Sequence, residues 1–212
     1  MKQPIKIAVI GGTGKSGKYL VTELLNQGLQ FKMLLRNPEN FQLNHSAIEI
    51  LKGNAGDSEA VRLLANGCQA IISTIGQQGN EMPIFSKATG NILRAMNECN
   101  INRYIVTTGL SVDTPSDKKS SQTKFGTHWM KTNYPATTAD KQTEYNVLAA
   151  SNINWTLIRL PLIEQTAIRT VINISLEDCP GDKISATGLA GFLINQLYDD
   201  TYIKQAPFIT NK

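Results

Sequence analysis

The chain has 212 residues, 41% hydrophobic and 18% charged, with a formal net charge of +4. No run of about eighteen apolar residues occurs, and the basic residues are dispersed apart from Lys118-Lys119, so neither a membrane span nor a nucleic-acid stripe is expected. Three scattered cysteines (Cys68, Cys99, Cys179) and two distant histidines (His45, His128) lack metal-ligand spacing, which predicts reduced thiols and no metal site.

The chain enters its first apolar strand, Ile5–Ile10, almost at once. This leaves no room for a signal peptide and predicts a cytoplasmic protein. Three glycines follow at three-residue spacing: Gly11, Gly14 and Gly17. A helical pattern then runs through Leu20, Val21, Leu24 and Leu25 and ends near Gly28. Strand, glycine turn and helix form the context a dinucleotide pyrophosphate needs. Glycines let the backbone come close, and the helix N-terminus offers N–H groups and a partial positive charge. The letters Gly14-Lys15-Ser16 also look like the end of a P-loop. That motif needs a glycine five residues before Gly14, where Val9 stands, so its phosphate cradle is incomplete.

Phe31–Leu35 reads as the second strand and leads into Arg36. An NAD-preferring site usually carries Asp or Glu near there to accept hydrogen bonds from the ribose 2′-hydroxyl. Residues 31–37 contain no carboxylate, and Arg36 is placed to pair with a 2′-phosphate. Lys15 and Ser16 add a charge and a donor, so the expected cofactor is NADP(H).

Ile48–Leu51 is a third strand, and Ser58–Ala65 a helix capped by Asp57 or Ser58. Ala70–Ile75 is a fourth strand. Met82–Glu98 is a long helix with Ala88, Ile92, Leu93 and Met96 on one face. Tyr104–Thr107 is a fifth strand, Thr138–Ala150 a helix and Trp155–Arg159 a sixth strand. Val171–Ser175 and Ile184–Ser185 read as small accessory strands, Thr187–Leu197 as a helix and Ala206–Thr210 as a closing strand. The alternation predicts an α/β fold: a doubly wound, mostly parallel sheet in one domain, residues 1–212, with small C-terminal elements on the substrate side. Ser111–Pro135 breaks the rhythm. It is polar, has no clear period and carries Phe125, His128, Trp129, Met130 and Tyr134, as a functional loop beyond a strand end would.

The ordered set of motifs resembles the atypical short-chain dehydrogenase/reductase family, in the branch of NmrA-like proteins and small flavin reductases akin to biliverdin reductase B. The resemblance rests on residues 11–17 (GGTGKSG), Arg36, Gly53-Asn54, Ser73-Thr74-Ile75-Gly76 and Thr107-Thr108-Gly109. It continues in Lys141 with Glu144, residues 154–159 (NWTLIR) before Pro161, Lys183-Ile184-Ser185 and Leu189-Ala190. It implies an NAD(P)-binding Rossmann fold with Gly11, Thr13, Gly14, Lys15, Ser16 and Gly17 at the phosphates and Arg36 at a 2′-phosphate. It further implies Asn54 and Ala55 beside the adenine, Ile75 and Gly76 beneath the nicotinamide ribose, and Thr108, Pro161, Leu162 and Ile163 around the nicotinamide.

The chain departs from the family's reductases at their Tyr-x-x-x-Lys pair. Lys141 stands where the lysine belongs, but the tyrosine position is Thr137, and Tyr134 lies three residues upstream. The flavin-reductase branch works without that tyrosine. The resemblance therefore implies an NADPH-dependent oxidoreductase acting on a small planar acceptor, with Thr108, Ser111 and Lys141 as candidate catalytic residues. The alternative it implies is a non-catalytic, NmrA-like redox sensor or regulatory protein. Either is expected as a monomer or homodimer without nucleic-acid or membrane partners.

Overall fold

Apolar parallel strands need cover on both faces, and the helices between the strands supply it. The computed structural model describes residues 5–77, 79 and 81–212. In chain order the described elements are β1 (Lys6–Ile10), α1 (Gly17–Asn26), β2 (Gln30–Leu35), β3 (Ile48–Lys52), α2 (Ser58–Ala65), β4 (Ala70–Ser73), α3 (Phe85–Glu98) and β5 (Arg103–Gly109). They continue as α4 (Ser121–Asn133), α5 (Pro135–Ala149), β6 (Asn154–Leu160), β7 (Leu162–Glu164), β8 (Ile172–Ser175), β9 (Lys183–Ser185), α6 (Ala186–Asn195) and β10 (Phe208–Asn211).

The main sheet has the order β3-β2-β1-β4-β5-β6-β10-β8. The first six strands of that order are parallel. β10 joins β6 in parallel, with Phe208 opposite Arg159, and β8 closes the edge antiparallel. β7 and β9 form a separate parallel pair. Alternate side chains feed two cores. Ala8 and Ile10 of β1 join Tyr104 and Val106 of β5 on the face covered by α2, α3 and α5. Ile7, Val9 and Ile105 join Leu20 and Leu24 of α1 and Leu189 and Leu193 of α6 on the other. This is the single-domain, doubly wound architecture expected from the alternation.

The segment 111–135 is where the sequence-based expectation fails most. Its second half is the helix α4. Ser120 caps it, its hydroxyl accepting from the Thr123 amide at 3.3 Å. The buried positions of α4 are Thr123 and Thr127, one turn apart, so its inward face is polar and leaves no apolar period to read. Strand β7 has no counterpart in the sequence pattern, because three residues carry too little alternation. Tyr134 ends α4 and begins α5, with Pro135 as the first residue of α5. At α2 the cap is Asp57, whose carboxylate accepts from the amides of Glu59 and Ala60. α3 has no side-chain cap of its own at Ile84. Asp140 of α5 substitutes, accepting from the Phe85 amide at 2.7 Å, the Ser86 amide at 3.3 Å and the Ser86 hydroxyl.

The C-terminal half is gathered around Arg159 of β6, whose side chain is fully buried. Its Nε donates to the Ala206 carbonyl at 2.8 Å, Nη1 to Asp117 at 2.6 Å and to the Val112 carbonyl at 3.3 Å, and Nη2 to the Leu176 carbonyl at 3.0 Å. The guanidinium carbon lies 3.6 Å from the Phe208 ring centroid. Lys119 supports the same loop, donating to the carbonyls of Leu110 and Val112 and to Asp113.

Removing one member of a buried ion pair leaves the other charge uncompensated, which costs about 3–5 kcal/mol. Arg159→Ala should lose stability on that scale in denaturant titration. Arg159→Lys should recover little, since one ammonium cannot reach four spread acceptors. A loss under about 1 kcal/mol for Arg159→Ala would contradict this role.

Candidate functional site

The residues singled out from the sequence assemble along one edge of the sheet, at the carboxyl ends of the parallel strands. The β1–α1 turn holds residues 11–16, with Gly17 opening α1; Arg36 follows β2, and Asn54 and Ala55 follow β3. Ile75 and Gly76 follow β4, Thr108 sits near the end of β5, Ser111 lies just beyond it, and Pro161 to Ile163 follow β6. Sheet order reverses direction between β1 and β4, and open α/β sheets bind ligands at such a switch point.

The turn is shaped by crowding. Gly11 has φ +82°, and a Cβ there would lie 2.7 Å from the Thr74 carbonyl carbon. A Cβ on Gly17 would lie 2.0 Å from the Gly11 oxygen, so strand and helix meet only because that position is bare. Gly14 differs. It is exposed with Thr13 and Lys15, and its nearest obstacle, the Gly11 oxygen, is 3.2 Å from a built Cβ. The first turn of α1 has no side-chain cap and no acidic residue. An exposed glycine backbone ahead of an uncapped helix N-terminus fits a pyrophosphate.

Arg36 is exposed and pairs with Glu81, from Nη1 to Oε2 at 2.9 Å and to Oε1 at 3.2 Å. Glu81 lies in the loop after β4 and was not singled out from the sequence, since it is 45 residues away in the chain. Asn54 turns its own loop by accepting from the Gly56 amide at 2.8 Å, and the Ala55 carbonyl accepts from Asn91 of α3 at 3.0 Å.

At the end of β5, the Thr108 and Ser111 hydroxyls are buried and have no hydrogen-bond partner among the described residues. Buried hydroxyls normally find partners, and a lone one needs a reason. Leu162, by contrast, is 72% exposed. Lys141 lies two turns into α5 and sets its Nζ 4.1 Å from the Phe85 ring centroid. Burial pushes its pKa down, while Glu144 and Asp140 oppose that. Glu144, also on α5, is buried against α3 and β5. Thr89 donates to its Oε1 at 2.9 Å, and the Tyr104 hydroxyl lies 3.3 Å from Thr89 Oγ1. Burial pushes the Glu144 carboxyl up to about 7, against the pull of Lys141 and Thr89.

Three kinds of likeness to known proteins bear on this edge. A family model described as NAD(P)H-binding matches residues 11–200. The photosystem II assembly factor Ycf39 of Trieres chinensis is 24% identical over 183 residues, covering 81% of this chain and 52% of that protein. Eugenol synthase 1 of Petunia hybrida is 26% identical, covering 94% of this chain and 63% of that one. The chain thus spans between half and two thirds of the length of these relatives. Among solved structures, a short-chain dehydrogenase/reductase of Veillonella parvula in complex with NADP superposes with TM-score 0.77 at 16% identity, covering 98% of this chain and 94% of that one. A putative epimerase of Bacteroides thetaiotaomicron gives 0.78 at 21% identity, covering 99% and 98%. At these identities the structures speak for the fold.

The two crowded glycines and the exposed one should separate by experiment. Gly17→Ala should destabilise the fold by about 3 kcal/mol or more through overpacking. Gly14→Val should fold yet lose NADPH and NADH alike in a binding titration. Unchanged affinity in folded Gly14→Val would remove the turn from the phosphate site.

Glu144 predicts a pH effect of definite sign. Its folded-state pKa is raised from 4.5. Its protonated form therefore stabilises the fold fully below that value, and the contribution disappears as pH rises to about 7. The loss amounts to roughly 3 kcal/mol at about 1.4 kcal/mol per tenfold change in proton affinity. Stability measured from pH 4 to 8 should fall less in Glu144→Gln than in the wild type. Parallel curves would show that Glu144 does not titrate in this range.

Proposed function

The chain belongs to the NAD(P)H-binding family, and on that premise we propose that it is an NADPH-dependent oxidoreductase whose acceptor is small and planar, of the flavin or quinone type. A bound nicotinamide supplies the hydride; the protein supplies binding, orientation and a dry pocket. Thr13, Gly14, Lys15 and Ser16 hold the phosphates at the N-terminus of α1, and Arg36 holds a 2′-phosphate. Ile75, Gly76, Pro161, Leu162 and Ile163 border the nicotinamide half, with Asn54 and Ala55 at the adenine.

The observation that carries the reading is the pair of buried hydroxyls, Thr108 and Ser111, at the carboxyl end of β5, which have no hydrogen-bond partner among the described residues. They are donors held where an acceptor over the nicotinamide gains negative charge, and such a donor is worth about 10²–10³-fold in rate. Lys141 of α5, seated over the Phe85 ring, is a further candidate catalytic group. α4 follows directly: a Cβ on Gly126 would lie 3.4 Å from Leu110 Cδ1, and neighbouring Phe125 and Trp129 are exposed. Their ring surface suits a flat acceptor.

The second reading is a non-catalytic NADPH-binding sensor, favoured by the missing tyrosine. Thr137 holds its place on α5, and Tyr134 is half-exposed, stacked edge-on against Trp129 at 5.8 Å. The two relatives reflect the same division, one named for a synthase and the other for an assembly factor.

The experiment is NADPH oxidation against a panel of flavins and quinones. Turnover with at least one acceptor is expected, falling about 10²-fold at saturating NADPH in the Thr108→Val, Ser111→Ala double variant. Tight NADPH binding with no turnover on any acceptor would favour the sensor.

A further inference from the structure

We propose that Glu81 is a specificity-determining residue of the nucleotide site, setting how strongly the protein prefers a nucleotide bearing a 2′-phosphate. The inference rests on the cofactor reading above and deepens it. The strand order is β2-β1-β4. Neighbouring strands are about 4.8 Å apart, so the ends of β2 and β4 are separated by about 10 Å, with the glycine turn between them. Arg36 stands beyond β2 and Glu81 in the loop beyond β4, yet their side chains meet at 2.9 Å. The ion pair therefore spans the crevice at the switch point. Gln77 ties the loop to itself, its Nε2 donating to the Glu81 carbonyl at 2.5 Å.

The second strand carries no acidic residue at its end. In space, a carboxylate is nevertheless delivered to that place from another loop. A 2′-phosphate must draw Arg36 away from Glu81 and must tolerate the Glu81 charge close by. A ribose with a free 2′-hydroxyl makes neither demand. Both side chains are substantially exposed, 40% for Arg36 and 59% for Glu81. Solvent screens such pairs, so the effect is modest, on the order of a several-fold change in affinity.

The test is a titration of the intact protein with NADPH and with NADH, read by nucleotide fluorescence. Glu81→Gln should tighten NADPH about 3–10-fold and leave NADH within about twofold. Glu81→Lys should tighten NADPH further, again sparing NADH. In an Arg36→Ala background, which itself should weaken NADPH about 10–100-fold, the gain from Glu81→Gln should be smaller than in the wild type, because only the repulsion between Glu81 and the 2′-phosphate is left to relieve. Thermal unfolding of each variant checks folding. Equal gains for both nucleotides would make Glu81 a strap without selectivity and overturn the proposal. So would an unchanged NADPH affinity, or a loss confined to NADH, which would assign Glu81 to the ribose hydroxyl. Failure of the wild type to bind either nucleotide is a different result: it defeats the cofactor reading and takes this inference with it.

Discussion

A buried guanidinium organises the C-terminal half of this molecule. Arg159 sits on β6 without contact with water, and a charge there is tolerated only if its N–H groups are satisfied. Its four acceptors come from three parts of the chain: Val112 and Asp117 in the loop after β5, Leu176 after β8, and Ala206 on the approach to β10. Each is otherwise irregular backbone. Tied to one rigid planar group, they become a fixed wall beside Ser111. Lys119 adds three more bonds to the same wall.

The other half is organised by the opposite means, the absence of side chains. Gly11 and Gly17 let β1, the β4 end and α1 approach more closely than any Cβ permits. That closeness aims the uncapped N-terminus of α1 over the sheet edge, where a negative charge is stabilised by the helix dipole. A polar network on one side and bare backbone on the other thus frame the same crevice. Between them, α3 and α5 are bound by Asp140 capping a foreign helix and by Lys141 lying over Phe85.

The parts hardest to read were those whose partners lie far away in the chain. Segment 111–135 looks structureless because α4 turns threonines, not leucines, inward. Its helix is held by a serine cap and by the loop that Arg159 and Lys119 fix, neither of which leaves a periodic trace. Glu81 is invisible for a similar reason. Residues 31–37 hold no carboxylate, and the one that meets Arg36 arrives across the crevice from after the fourth strand. Glu144 stands in the sequence as a motif partner of Lys141, but its place beside Thr89 and Tyr104 emerges only when α3, α5 and β5 pack together.

From its sequence alone this protein could be read as a doubly wound α/β domain with a dinucleotide turn at its first strand. Apolar runs, glycine spacing and helix periodicity are local properties, and local sterics and burial decide them. The same locality placed residues 11–17, Arg36, Asn54, Thr108 and Pro161 at strand ends, and therefore on one edge. Tertiary structure decided which of those groups are already engaged and which are held in reserve. Arg36 meets Glu81, whereas Thr108 and Ser111 are buried facing no described partner. Pairing and burial of single polar atoms depend on distances between elements, and no local pattern in a chain encodes those distances.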